Sequence, residues 1–194
     1  MEIGIVVFPD AEELDFAGPW EVLGAWAEHH PEDDVRLRLL ARDGSPVRCR
    51  KGLTVVPDGR LGDATGLDVV IIPGGKGTRP LMGDERMLSW VREQANRGAL
   101  MTSVCTGSLV LAAAGLLDGR PATTHWAALD ELRAAGRDVD VRESDRFVDD
   151  GAVVTAAGVS AGIDMALHLV ERLHSTERAR DVRREIQYDP EPPV

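Results

Sequence analysis

The chain has 194 residues, 43% of them hydrophobic, and 33 acidic against 22 basic side chains give it a formal charge of −11. A chain of this length forms one domain that buries about 70% of the surface its unfolded form exposes, and its negative charge opposes nonspecific association with nucleic acid or an anionic membrane. No window approaches the roughly 18 continuous apolar residues of a membrane span, no basic leader follows Met1, and the two cysteines, Cys49 and Cys105, give no disulfide framework. A cytoplasmic protein acting on a small molecule is expected.

In chain order, a strand is expected at 3–8 (IGIVVF), followed by the loop "PDAEEL" and Asp15. A helix at 19–29 would begin with Pro19, whose missing N–H suits a first turn. Strands follow at 35–41 and 68–73, with a shorter, peripheral run at 53–56. Cys49, in "RCRKGLTVV", reads as incidental on or near an edge strand. Gly74 and Gly75 close the 68–73 strand, and a helix is expected at 85–97. The strand at 100–104 runs into Cys105 and a helix at 106–114. A helix at 127–135 and a hairpin in "FVDDGAVV", turning at Asp150-Gly151 between strands at 146–148 and 153–157, come next. Helices at 160–174, with Ser160 as its cap, and at 176–187 precede a Pro-rich tail at 188–194 expected to lie extended. Short apolar runs alternating with helical segments predict an α/β fold: a single-domain three-layer sandwich over 1–194, its mostly parallel sheet covered by helices on both faces.

Ligands of such sheets gather beyond the carboxyl ends of the strands. Asp15, Gly74-Gly75 and Cys105 all fall at such ends and are expected to converge. "SVCTG" has the setting of a nucleophile elbow, and helix-start amides would lower the thiol pKa. Buried packing as a small hydrophobe is the competing account of Cys105. Asp15 is either a helix-start cap or a proton donor and acceptor near the thiol, with Glu12, Glu13 and Glu21 as rivals on position. Gly75 is either a turn glycine or an anion-binding amide. His125, in "ATTHWAAL", is either a thiol partner or a structural histidine, whereas His29, His30, His168 and His174 read as structural or solvated. No zinc spacing is present, and "PGGKGTRP" lacks the complete phosphate-loop pattern, so neither metal nor nucleotide is expected.

The ordered set "GIVVFPDAEELDFAGPWEVL", "DVVIIPGGKGT", "SVCTGSLVLAAAGLLDGRPATTHW", "GVSAGIDMALHLVE" and "YDPEPPV" resembles the DJ-1/PfpI superfamily, of class-I glutamine amidotransferase-like fold, and within it the isonitrile hydratase branch. The resemblance implies that Cys105 is the elbow nucleophile, Asp15 the acid and Thr106 the residue that orients Asp15 or water. It implies anion-binding amides at Gly75 and Thr106, a substrate site including Gly74, His125, Trp126, Gly158 and Val159, no cofactor, and a homodimer. His125 is not expected to be essential. The implied reaction adds water to an isonitrile, giving an N-substituted formamide through a cysteine thioimidate. Two rivals remain: a non-enzymatic sensor of the AraC-associated type, and another superfamily activity such as peptidase, glyoxalase or deglycase. A low-pKa Cys105 would also oxidise before Cys49.

Overall fold

A computed structural model describes residues 1–189, so the end of the Pro-rich tail lies outside the described residues. The strands are β1 (Glu2–Val6), β2 (Arg36–Ala41), β3 (Val47–Arg48), β4 (Thr54–Val55), β5 (Gly59–Arg60), β6 (Val69–Ile72), β7 (Leu100–Val104), β8 (Pro121–Ala122), β9 (Asp140–Val141), β10 (Phe147–Asp149) and β11 (Val153–Ala156). The helices are α1 (Glu13–His29), α2 (Thr78–Met82), α3 (Glu85–Asn96), α4 (Gly107–Ala113), α5 (Leu129–Ala135), α6 (Ala161–Leu173) and α7 (Thr176–Glu185).

Seven strands form the central sheet in the order β10-β11-β7-β6-β1-β2-β5. All pairings are parallel except β10 with β11, the expected hairpin. The registers Ile3↔Leu37, Ile3↔Val69 and Val69↔Leu100 align the central strands so that their carboxyl ends finish at one edge. β6 reads VVII, a continuous apolar run, because both faces of a parallel sheet are covered and neither side of the pleat meets water. One layer consists of α1, α6 and α7 packed on one another; α2 to α5 form the other. No helix among the described residues is long and apolar enough to cross a membrane.

Three local expectations change. Helix α1 starts at Glu13, not at residue 19, so Asp15 lies in its first turn and Pro19 in its interior. Pro19 cannot donate to the carbonyl of Asp15, a cost to the helix, but its ring packs where α1 meets α6. A Cβ on Gly162 would lie 3.3 Å from Pro19 Cδ and 3.1 Å from both Val104 methyls. Ser160 does occupy the N-cap position of α6, yet it caps no amide; its Oγ accepts from Arg146 Nη2 at 3.0 Å. The short elements β3, β5, β8, β9 and α2 were absent from the sequence reading, since two-residue strands and a five-residue helix carry no periodicity.

The contact of α1 with α6 gives a stability prediction. Gly162→Val should cost about 1–3 kcal/mol through overpacking against Val104 and Pro19, read as a lower urea midpoint at unchanged m-value.

Candidate active site

The site stands where the chain reverses its direction of travel across the sheet. From β1 it steps to β2 on one side and then returns to β6 on the other, so the loops after β1 and β6 separate and leave a crevice. Asp15 enters from the first side, Gly74 and Gly75 from the second, and Cys105 from the end of the neighbouring β7.

Cys105 sits between β7 and α4 with φ of 56°, in the left-handed region that costs a non-glycine residue free energy. Its surroundings over-determine that conformation. The Cys105 amide donates to the carbonyls of Ala156 and Ala157 at 3.1 and 2.9 Å, and its carbonyl accepts from Thr124 Oγ1 at 2.9 Å and Ser108 Oγ at 3.1 Å. Val159, a β-branched residue at φ of 45°, is strained as well, and its amide hydrogen-bonds the Cys105 sulfur alongside the amide of Thr106.

Asp15 is fully buried. Its Oδ2 accepts from the Gly74 amide at 2.8 Å, while Oδ1 has no hydrogen-bond partner among the described residues. Oδ1 is therefore the oxygen free to hold a mobile proton. Gly74 permits this approach, because a Cβ there would lie 2.6 Å from the Thr106 nitrogen and 2.7 Å from Asp15 Oδ2. Burial lifts the Asp15 carboxyl to about 7, against the lowering pull of the Gly74 amide, Cys105 and Arg50. Of the rival carboxylates, Glu12 is held by Arg50 at 3.0 Å and by Lys51, Glu13 Oε1 accepts from the Lys51 amide at 2.6 Å, and Glu21 is exposed.

The expectation of a depressed thiol pKa is overturned. Burial, reinforced by the Asp15 carboxylate, pushes Cys105 up to about 12, and the Thr106 and Val159 amides offset only part of this. With 6% of its surface exposed, the thiol pays more in lost hydration than a short helix start returns. Burial thus pushes both members of the pair toward their protonated, neutral forms.

The remaining expectations divide. Thr106 Oγ1 does not reach Asp15: it accepts from the Gly75 amide at 3.0 Å and donates to the Gly75 carbonyl at 3.2 Å, with Thr78 Oγ1 3.3 Å away. The Gly75 amide is consequently engaged and not open to an anion. His125 lines the cleft and accepts from the Ala127 amide at 3.2 Å, and burial followed by the Arg50 and Arg79 charges lowers its pKa. Gly158 packs against the His125 ring, which a Cβ there would meet at 2.4 Å. Trp126 lies tilted against His125, with ring centroids 5.4 Å apart and planes 34° apart, but is 77% exposed and lies outside the cleft lining. Cys49 is buried at the end of β3, where its amide donates to the Leu53 carbonyl at 2.7 Å.

The cleft over Cys105 has a volume of about 450 Å³. A second cavity of about 540 Å³, lined by Phe8, Leu81, Met87 and Trp90, does not include Cys105, whereas the first does, so the chemistry belongs to the first. Arg50, Lys76, Arg79 and Thr78 were not picked out from the sequence. Arg50 reaches the cleft because its amide donates to the Ala11 carbonyl at 3.0 Å, a contact across 39 residues with no local signature.

Comparison with known proteins places this geometry in context. The family model described as the DJ-1/PfpI family matches residues 1–172. The chain is 42% identical over 193 residues to an isonitrile hydratase of Pseudomonas putida, covering 100% of this chain and 81% of that protein. It is 33% identical over 178 residues to the HTH-type transcriptional regulator CdhR of Pseudomonas aeruginosa, covering 91% of this chain but 52% of the regulator. The crystal structure of a ThiJ/PfpI family protein from Pseudomonas syringae superposes with a TM-score of 0.89 at 33% identity, covering 100% of this chain and 77% of that one.

A raised carboxyl pKa makes a stability prediction of definite sign. Between the unfolded value near 4 and the folded value of about 7, the native state holds a proton that the unfolded state has released, so stability falls as pH rises through this window. Asp15→Asn, which removes the ionisation, should raise the melting temperature more at pH 8 than at pH 5, as followed by calorimetry. An equal shift at both pH values would contradict the assignment.

Proposed function

The chain belongs to the DJ-1/PfpI family, and from that membership we propose that it is an isonitrile hydratase. The observation that carries this reading is the buried Cys105–Asp15 pair, in a chain 42% identical along its whole length to an isonitrile hydratase.

The chemistry follows from where the proton resides. Hydration begins by placing sulfur and hydrogen on the same isonitrile carbon, and a neutral thiol beside a carboxylate supplies both. As Cys105 Sγ bonds to that carbon, Asp15 takes the thiol proton and delivers it to the carbon, giving the thioimidate R–N=CH–S. Water then adds to this carbon as Asp15 accepts one of its protons and passes it to nitrogen; the C–S bond breaks as the remaining hydroxyl proton passes through Asp15 to sulfur. The products are the formamide R–NH–CHO and the restored thiol. The Thr106 and Val159 amides steady charge that develops on sulfur. Thr106 is a positioning residue: its hydroxyl fixes the Gly75 peptide and, through it, the adjoining Gly74 amide on Asp15. The substituent of the isonitrile lies in the cleft against His125, Ala127 and Val159. This sequence of steps calls on no cofactor.

A homodimer in a reducing cytoplasm is part of the same proposal. Exposed Leu53 and Val56 on the β3–β4 turn and its flank supply apolar surface for self-association, and the net charge of −11 argues against nucleic acid as a partner. Light scattering on the eluting protein checks the dimer.

With n-butyl isonitrile as substrate, the protein should release N-butylformamide. Cys105→Ala should abolish turnover, and Asp15→Asn should lower kcat by about 10²- to 10⁴-fold, the usual range for a lost acid–base group. In the wild type kcat/KM should climb through about pH 7 as Asp15 ionises and then level off. Near-normal turnover in either variant would overturn the mechanism, and absence of formamide from the wild type would favour the sensor alternative.

A further inference from the structure

Resting on the isonitrile hydratase reading, the charges around the cleft narrow the substrate class. In a chain of net charge −11, the cleft is lined by three cations, Arg50, Lys76 and Arg79, and one carboxylate, Glu12. Glu12 is turned inward, its side chain 5% exposed and saturated by Arg50 and Lys51. Arg79 is fixed by two hydrogen bonds to Glu131 at 3.0 and 2.8 Å and by a third to the Gly75 carbonyl at 3.2 Å. Lys76 differs from both: it is exposed, and its ammonium has no hydrogen-bond or ion-pair partner among the described residues. Arg50 uses only Nη1 on Glu12 and keeps the rest of its guanidinium available. The positive field reaches inward, since Arg50 and Arg79 both act to hold His125 in its neutral form.

The cleft is therefore polar in a directed sense. Cys105 opens onto it, its lining includes Ala127, Ala128 and Val159, and of its three cations Lys76 alone has no carboxylate partner among the described residues. A terminal isonitrile has no net charge and gives these cations nothing to bind. We propose that the substrate is an isonitrile whose substituent ends in a carboxylate, held by Lys76 and Arg50 while its isonitrile carbon reaches Cys105. A short alkyl spacer suits a cleft of about 450 Å³. Charges at such a rim act on encounter and on ground-state binding, so the preference should appear in kcat/KM and weaken with salt.

The test compares 4-isocyanobutanoate with n-butyl isonitrile, matched in spacer and in the reacting group. The expected result is a kcat/KM about tenfold higher for the anion at low ionic strength, shrinking as salt is added. Lys76→Gln should reduce that ratio several-fold, and Lys76→Glu should invert it. Hydration of both compounds at similar rates, or a ratio indifferent to Lys76, would overturn the carboxylate assignment while leaving isonitrile hydration intact. If neither compound is turned over, the isonitrile reading itself fails. Calorimetric binding of 4-formamidobutanoate and N-butylformamide then decides separately about the mouth: tighter binding of the anion that is lost in Lys76→Glu supports an anion site, and equal or absent binding of the two overturns it.

Discussion

The burial of Asp15 beside Cys105 is the constraint around which this molecule is arranged. Asp15 and Cys105 are both removed from water, and neither can ionise without a cost that its neighbours only partly offset. A carboxyl raised by burial gives up native-state stability as pH climbs past its unfolded value. The protein holds that strained arrangement with features that otherwise look unfavourable: positive φ at Cys105 and Val159, a proline inside α1, and a glycine where any side chain would strike Asp15. Each concentrates cost at one edge of the sheet, while the uninterrupted apolar strands beneath it supply the stability to sustain it.

The topology explains why the pair forms at all. Residues from α1, the β6–α2 turn and the β7–α4 elbow are far apart in sequence, and the crevice between β1 and β6 is the one place where these three carboxyl-terminal edges meet. Hydrogen bonds then convert proximity into geometry. Gly74 aims one oxygen of Asp15, Thr106 pins Gly75, and the carbonyls of Ala156 and Ala157 anchor the Cys105 amide from the adjacent strand. The backbone that carries the thiol is consequently fixed on both sides.

Much of the sheet was legible because apolar strands and turn residues are local signals: IGIVVF, DVVIIP and LMTSV each appear as a strand within two residues at either end. The strand-to-helix setting of Cys105 and the placement of Asp15 and Gly74 nearby were legible for the same reason. What escaped depends on three-dimensional sums. The sign of the thiol shift is a balance of lost hydration against a few amides, and local sequence displays only the amides. Pro19 reads as a helix start until the partner groove at Gly162 is known. Thr106 looked like a partner of Asp15, yet its hydroxyl was captured by the nearer Gly75 peptide. The cationic mouth assembles from two segments far apart in sequence, neither unusual in a chain with 22 basic residues.

The central claim is that the resting pair keeps its proton on sulfur while Asp15 titrates near neutrality. The most direct measurement is the ultraviolet thiolate absorbance of the wild type minus that of Cys105→Ala, followed from about pH 5 to pH 9. The account predicts a flat difference over this range, because Cys105 remains a thiol. A thiolate signal that develops with a midpoint below neutrality would contradict it and return the site to an ordinary low-pKa nucleophile.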